Sequence, residues 1–546
     1  MALSYASGPS MVPLIGQTIG DNLEETVARF GDREALVVVH EGTRLTYRQL
    51  NDEVDKVARL LMAMGLNVGD RLGIWAANCS AWTIVQYATA KAGVILVNIN
   101  PAYRANEVEY VLKQSGCRML IAAETFKTSN YRAMVEEARP NLPDLEFVLH
   151  IDSSEWTAWL AGPQVSDAEL RGRMASLSFD DPINIQYTSG TTGFPKGATL
   201  THHNILNNGF FSARGCNYTE ADRVCIPVPL YHCFGMVIGN LGCTTHGATM
   251  VYPAPSFDPL ETLRAIEAER CTSVYGVPTM FIGQLTHPDF AKFDLSSLRT
   301  GVMGGSPCPV ETMKQAIELM NMREVAIAYG MTETSPVSTQ TAADDTIEQR
   351  TGTVGRVHPH VEVKIVDPIT GRCVARGESG ELCTRGYSVM LGYWNDPEKT
   401  AEAIDPAGWM HTGDLAVMDD AGYINIVGRS KDMIIRGGEN VYPREIEEFL
   451  YTHPDIVDVQ VVGVPDLKLG EEIMAWIRVR EGAAPLTAEG VRAFCQGKIA
   501  HYKVPRYVHV VEEFPMTVTG KIQKFKLREA AVELLGLHDA AAVRTA

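Results

Sequence analysis

The spacing of apolar residues changes several times along the chain, and each change predicts an element. Thr46 and Gln49 have the spacing of a capping box, after which Leu50, Val54, Val57 and Leu61 recur at helical intervals until Gly65. Short apolar runs follow, "RLGIWAA" at 71–77, "GVILVNI" at 93–99 and "RMLIAAE" at 118–124, separated by stretches of helix length. That alternation predicts parallel sheet with crossover helices. Similar units recur through the 180s to the 330s, so a large α/β region is expected.

Near residue 430 the texture changes. "DLAVMDDAGYINIVGRSKD" reads as two strands joined by a turn at Asp419–Gly422 and followed by a charged segment. After it come a helix opened by Pro443 ("PREIEEFL"), a strand "VDVQVVGV", a strand "EIMAWIRVR", a helix at about 488–500 and a last strand "RYVHVVEE". These make a module of domain size. The fold class expected is therefore α/β: a large N-terminal α/β domain of several subdomains (1–430) and a small, mobile α+β C-terminal domain (431–546), with the boundary at Ser430–Lys431. No internal repeat or low-complexity tract is present, and the last dozen residues are expected to fray.

Composition narrows the functional classes. The 546 residues exceed one core, and 45% hydrophobic with 21% charged residues is ordinary for globular protein. A net charge of −18 excludes general binding to nucleic acid or anionic membranes. No apolar run has the length of a membrane span; "AWTIVQYATAKAGVILVNIN" is interrupted by Lys91. The first basic residue is Arg29, which argues against a secretory leader and an Arg-rich transit peptide, so a soluble cytoplasmic protein is expected. Eleven scattered cysteines without a C-x-x-C pair argue against a disulfide framework and a metal site. A homodimer is neither required nor forbidden.

An anionic ligand would then need local donors, and "YTSGTTGFPKGATLTHHN" (187–204) concentrates them. Four hydroxyls (Thr188, Ser189, Thr191, Thr192) surround Gly190 and Gly193, with Lys196 and Gly197 following. Small residues and bare backbone suit an oxyanion-rich guest such as a polyphosphate. The P-loop spacing is absent: only Phe194 and Pro195 separate Gly193 from Lys196, and Gly197 follows the lysine. Alone, such a cluster reads equally as a surface turn. Its place between the apolar run "PINIQY" and the helix-like "HHNILNNGFF" is where α/β sheets bind ligands.

The whole stretch "YTSGTTGFPKG" resembles the phosphate-binding signature of the adenylate-forming superfamily, which includes acyl-CoA synthetases, nonribosomal adenylation domains and firefly luciferase. Further motifs of that family follow in order: "PLYHCFG" (229–235), "GGSPCP" (304–309), "YGMTET" (329–334), "GELCTRGY" (380–387), "HTGD" (411–414), "GRSKDMIIRGGENVYPREIE" (428–447) and "TVTGKIQKFKLRE" (517–529). The resemblance covers nearly the whole chain.

It implies a reaction in which a carboxylate attacks the α-phosphorus of ATP, giving an acyl-adenylate that CoA thiolate then resolves, with Mg²⁺ as cofactor. By that likeness the 188–196 loop holds the β- and γ-phosphates, Thr332 and Glu333 meet the α-phosphate, and Glu333 holds Mg²⁺. Gly304, Gly305 and Ser306 lie along adenine, Tyr329, Gly330 and Met331 complete the ATP site, and Asp414 and Arg429 bind ribose or phosphate. Lys521 reaches from the small domain to the α-phosphate and carboxylate oxygens, whereas Lys524 and Lys526 read as members of a basic tail. Lys431 is the hinge; rotation there would bring Gly437, Gly438 and Glu439 to a CoA tunnel. His232, Phe234 and Gly235 guard the acyl pocket. Amino-acid-activating relatives carry an Asp just after this Phe, where this chain has "GMVIGN"; a buried ammonium would lack its partner. Met236, Val237 and Ile238 favour a hydrocarbon tail, and "VTGKIQKFKLRE" most resembles medium-chain fatty acyl-CoA synthetases. Two alternatives stay open: an enzyme loading a separate acyl carrier protein, and a non-catalytic nucleotide-binding regulator.

Overall fold

The computed structural model describes residues 2–188, 195–429, 432–437, 439–483, 486–517, 520–538 and 540. The expected helix spans Tyr47–Ala63; Thr46 caps it with a complete capping box, and Leu50, Val54, Val57 and Leu61 are buried. The three apolar runs form strands Arg71–Trp75, Ile95–Asn98 and Met119–Ala122, all parallel. They belong to a seven-stranded sheet ordered Gly392–Tyr393, Lys196–Thr201, Pro182–Thr188, Ile95–Asn98, Arg71–Trp75, Met119–Ala122, Phe147–His150.

A nine-stranded sheet carries parallel strands Glu324–Gly330, Thr300–Gly304, Ser273–Gly276, Arg223–Cys225, Thr249–Tyr252 and Glu34–Val38 side by side. Helices Ser80–Ala92 and His202–Gly215 join the two sheets. Trp82, Val85, Ile205 and Leu206 share one apolar cluster with Leu72 and Ile74 of the first sheet and Leu36, Val38 and Met250 of the second. Burying both helices on two faces explains why their apolar residues do not form a single stripe.

Two features depart from the sequence pattern. The phosphate-loop segment does not pass directly into a helix: strand Lys196–Thr201 intervenes, antiparallel to Pro182–Thr188 on one side and Gly392–Tyr393 on the other. The two β-branched threonines of "GATLT" suit the sheet, and the helix begins only at His202, capped by Thr201. The large region also holds a five-stranded sheet that is antiparallel throughout, Tyr5–Ser7, Val361–Val366, Gly380–Gly386, Met410–Met418 and Ile424–Arg429. The two strands flanking Asp419–Gly422 lie in it; Gly422 turns the chain at φ +86° and donates to the Asp419 carbonyl.

The small lobe contains strands Ile434–Arg436, Glu439–Val441, Ile456–Asp466, Gly470–Val479 and Tyr507–Val510 with helices Pro443–Leu450, Ala488–Cys495 and Lys524–Leu535. The expected 488–500 helix stops at Cys495, because Gln496 is extended and Gly497 takes φ +74°. The expected domain boundary falls on residues 430 and 431, outside the described residues. Of the last dozen residues, expected to fray, Leu535 still closes helix Lys524–Leu535 and Leu537 packs against the same core, while 539 and 541–546 lie outside the described residues. Among the described residues no helix is long and apolar enough to cross a membrane.

The "basic tail" is instead a folded helix. Leu527 and Ala531 pack with Val462, Val464, Met474, Trp476 and Phe514. Lys524 places Nζ 2.5 Å from Glu447 Oε1 and donates to the Val461 carbonyl at 3.1 Å. Glu447 is 7% exposed at its side chain and Lys524 21%, so removing the lysine takes the counter-charge from a nearly buried carboxylate to which only uncharged donors such as the Val461 N–H, 2.8 Å from Oε1, would remain. Lys524→Met is expected to cost about 3 kcal/mol, the lower end of the range for breaking a buried pair. Small-lobe amide hydrogen exchange and the unfolding midpoint read this directly; an unchanged midpoint would show the pair to be solvated.

Candidate active site

The residues singled out by sequence converge where the parallel strands of the nine-stranded sheet end, beside the mouth of the Pro182–Thr188/Lys196–Thr201 hairpin. Open parallel sheets bind ligands at such carboxyl ends. Strand Thr300–Gly304 delivers Gly304 and then Gly305 at φ +82°; strand Glu324–Gly330 delivers Tyr329 and Gly330, after which Thr332–Thr334 make one 3₁₀ turn. Gly304 and Gly330 are fixed by close backbone: a Cβ would lie 2.8 Å from the Ala328 carbonyl oxygen at the first and 1.7 Å from that of Pro336 at the second. Met331 N–H donates to the Thr334 hydroxyl at 3.1 Å, which holds the turn. Ser306 follows on the same loop, where its carbonyl accepts from Cys308 Sγ at 3.5 Å.

Glu333 is 5% exposed, and its Oε1 accepts from the Tyr393 hydroxyl at 2.8 Å and the Thr188 hydroxyl at 3.4 Å. Its neighbour Thr332 is 8% exposed. Lys196 Nζ lies 4.4 Å from the centre of the Tyr393 ring, a cation over an aromatic face. Thr188 and Lys196 are directly paired across the hairpin, and the Pro195 carbonyl accepts from Tyr110 at 3.2 Å. Ser189, Gly190, Thr191, Thr192, Gly193 and Phe194 lie outside the described residues. A buried carboxylate flanked by hydroxyls is the hard-oxygen donor set that Mg²⁺ takes, so these residues fit that ion.

Asp414 accepts from Tyr329 at 2.7 Å on Oδ2 and from Arg429 Nε at 3.0 Å on Oδ1. Each carboxylate oxygen keeps a free lone-pair direction, so the pair orients Asp414 without exhausting it.

The small lobe closes the site. Lys521 sits on a tight turn: Gly520 N–H donates to Thr517 O at 2.9 Å, Lys521 N–H to the Thr517 hydroxyl at 3.1 Å, and Thr517 N–H to Lys521 O at 2.7 Å. Gly520, at φ +77°, accepts on its carbonyl from Thr279 of the large lobe at 3.1 Å; a Cβ there would meet Val277 at 2.8 Å. Lys521 Cε runs 3.6 Å from where a Gly305 Cβ would stand. Burial, and then the charge of Arg429, lower the Lys521 ammonium below its ordinary pKa, while Glu333 and Asp414 pull the other way. Two further contacts bridge the lobes: Arg444 Nη1 donates to Ile426 O at 2.9 Å, and Val310 N–H to Glu448 Oε2 at 3.3 Å.

His232 is held neutral, its pKa lowered to about 3 by burial and then by the charge of Lys521. Its Nδ1 accepts from Phe234 N–H at 3.2 Å, which leaves the proton on Nε2. Phe234–Leu241 form a π-helical turn in which every residue is buried, and the Phe234 ring packs 5.6 Å from that of Tyr275. A Cβ at Gly235 would lie 2.4 Å from the Pro229 carbonyl oxygen, so this tight turn needs glycine.

Gly437 and Glu439 are not brought to this site: Gly437 N–H donates to Leu469 O at 2.8 Å, and Glu439 pairs with Arg436 inside the small lobe. Gly438 and Lys431 lie outside the described residues. Sequence reasoning missed Tyr393, which holds Glu333, and Thr279, which receives the Lys521 turn. It also missed Asn98 and Gln186, whose amides donate to Met236 Sδ at 3.1 Å each beneath the π-helical turn. The only signal for Tyr393 is a strand-like "GYW"; nothing local marks the others.

Residues 23–394 match the AMP-binding enzyme family, and residues 445–521 match the AMP-binding enzyme C-terminal domain. A Bacillus subtilis (strain 168) protein, YngI, is 50% identical over 96% of this chain and 99% of its own length. A Danio rerio protein named medium-chain acyl-CoA ligase ACSF2, mitochondrial, is 48% identical over 98% of this chain and 92% of its own. The fold superposes on the crystal structure of ATP-bound MatB from Rhodopseudomonas palustris with a TM-score of 0.83 and 29% identity, covering 94% of this chain and 99% of that one. This chain belongs to the AMP-binding enzyme family.

Proposed function

We propose that the protein is an AMP-forming acyl-CoA synthetase that activates a medium-chain fatty acid. One carboxylate oxygen of the acid bonds to the α-phosphorus of ATP as the bond to the bridging oxygen breaks and pyrophosphate leaves. The sulfur of CoA then bonds to the acyl carbon, AMP departs with the former carboxylate oxygen, and the thiol proton passes to solvent. The observation that carries this reading is the convergence of Lys521 from the small lobe with Glu333, Asp414, Arg429 and His232 of the large lobe.

Two anions must meet in the first step, so the residues act chiefly on charge and alignment. Lys521 and Lys196 supply fixed positive charge to the phosphoryl and carboxylate oxygens. Asp414, oriented by Tyr329 and Arg429, accepts from ribose, and the Gly304–Ser306 loop admits adenine against bare backbone. Neutral His232 offers Nε2–H as a donor without adding a further cation beside Lys521 and Arg429. Glu333 and Thr188 would hold Mg²⁺, which supplies neutralising charge to phosphate oxygens. Met236, Val237 and Ile238 form the apolar side of the acyl pocket. Lys431 is the hinge in this reading, and rotation about it exchanges the Lys521 turn for Gly437–Glu439. Eleven free cysteines, none in a disulfide, support a reducing, cytoplasm-like compartment.

Incubation with ATP, Mg²⁺ and straight-chain acids of increasing length, with CoA or acyl carrier protein as acceptor, tests the reading. AMP and acyl-CoA formation peaking at medium length is expected. Transfer to carrier protein alone, or pyrophosphate release independent of acid, would overturn it.

A further inference from the structure

Alternate residues of a strand share a face, and a residue directly opposite on the next strand stands within about 5.5 Å of them. Glu381 and Cys383 are alternate residues on Gly380–Gly386, and Cys383 pairs directly with His411 on Met410–Met418. A register shift between Glu381 and Cys383 bulges residues 412–414 and lets Glu381 reach the same histidine. His411 Nδ1 lies 2.9 Å from Glu381 Oε2 and 3.5 Å from Cys383 Sγ, and one ligand atom from each of the three residues falls within 4.8 Å of the others. A nitrogen and a sulfur bound to one tetrahedral zinc stand about 3.5 Å apart, as bond lengths of roughly 2.0 and 2.3 Å require.

The surroundings are arranged as such a site needs. The far ring nitrogen, His411 Nε2, faces Asp405 Oδ2 at 3.9 Å, and the other Asp405 oxygen is fixed by the amides of Ala407 and Trp409. A carboxylate behind a metal-bound imidazole sets its tautomer and orientation. Glu381 Oε1 accepts from Gly413 N–H at 3.1 Å, which aims Oε2 at the histidine. Val366 and Trp409 pack with buried Cys383 as an apolar wall, while Glu381 and His411 are half-buried and leave a fourth position to solvent. Lys364 is paired with Cys383 on its other side, its ammonium 4.4 Å from the Trp409 ring centre. The Arg385 guanidinium lies 4.5 Å from the same ring centre but is paired with Glu362, so these cations stand against Glu381, Asp405 and the thiolate that metal binding creates.

We propose that Glu381, Cys383 and His411 form a Zn²⁺ site, with Asp405 as the positioning residue for His411. Thiolate, imidazole and carboxylate together favour zinc over magnesium or calcium. On binding, the thiol proton leaves to solvent and the ring proton resides on Nε2, facing Asp405; no redox change occurs. The site is separate from the reacting groups, though it shares the 411–414 turn with Asp414.

Titration of the full-length, metal-stripped protein with Co²⁺ tests this. One saturating equivalent is expected, with a sulfur-to-cobalt charge-transfer band in the near ultraviolet that Zn²⁺ abolishes. Cys383→Ser should remove the band and His411→Gln the tight binding. Asp405→Asn, which leaves all three ligands in place, should keep the band while weakening affinity about 10-fold or more; this variant keeps the test decisive if Cys383→Ser fails to fold. Absence of saturable Co²⁺ binding, or a band that persists in Cys383→Ser, would overturn the site. Unchanged affinity in Asp405→Asn would remove Asp405 from it.

Discussion

Lys521→Ala is expected to slow acyl-adenylate formation about 10²–10³-fold, the scale of losing one preorganised charge donor. The effect should fall on the first half-reaction alone. Thioester formation from supplied acyl-adenylate should proceed at close to the wild-type rate, because in our reading that step uses the other face of the small lobe. Pyrophosphate-exchange and single-turnover thioester assays separate the two. Equal loss in both would mean that the substitution had damaged the lobe interface rather than a charge.

The same lysine gives a pH dependence with a defined sign. Burial and Arg429 hold its ammonium below the ordinary lysine value. The proton is therefore lost at lower pH than from a free lysine, and adenylation should fall on the alkaline side as the charge disappears. Lys521→Arg, which remains protonated throughout that range, should flatten this limb whatever its effect on the maximum.

Glu333→Gln is the second large effect expected. The amide keeps an oxygen for the Tyr393 hydroxyl to donate to, so the 3₁₀ turn should fold as before, but the negative charge offered to a divalent cation is gone. Adenylation should fall about 10²-fold or more, on the scale of a removed electrostatic contact, and the Mg²⁺ concentration needed for half-maximal rate should rise. An unchanged Mg²⁺ dependence would assign Glu333 to holding Tyr393 alone.

What sequence made legible was whatever is local. The Tyr47–Ala63 helix carries its cap and apolar stripe within one stretch, and the strands at 71–75, 95–98 and 119–122 announce themselves as apolar runs. Lys521 and Glu333 were found through motifs whose residues are contiguous. What escaped depends on pairing across distance. Tyr393 reaches Glu333 because Gly392–Tyr393 joins the edge of Lys196–Thr201. Lys524 looked like one more basic residue because its partner Glu447 lies 77 positions away. The helix that follows Lys524 has its core contacts on Ile456–Asp466 and Gly470–Val479, so its own pattern was too short to mark it. The Glu381–Cys383–His411 cluster failed the cysteine-spacing criterion for the same reason: its third member comes from a neighbouring strand.

The central claim is that the two lobes jointly form one charged cradle, completed by Lys521. A crystal structure with a nonhydrolysable acyl-adenylate analogue tests it most directly. The account predicts the Lys521 ammonium on the phosphoryl and acyl oxygens, ribose on Asp414, and the hydrocarbon tail along Met236–Ile238. An adenylate bound away from Asp414 and Glu333, with no contact to Lys521, would contradict it.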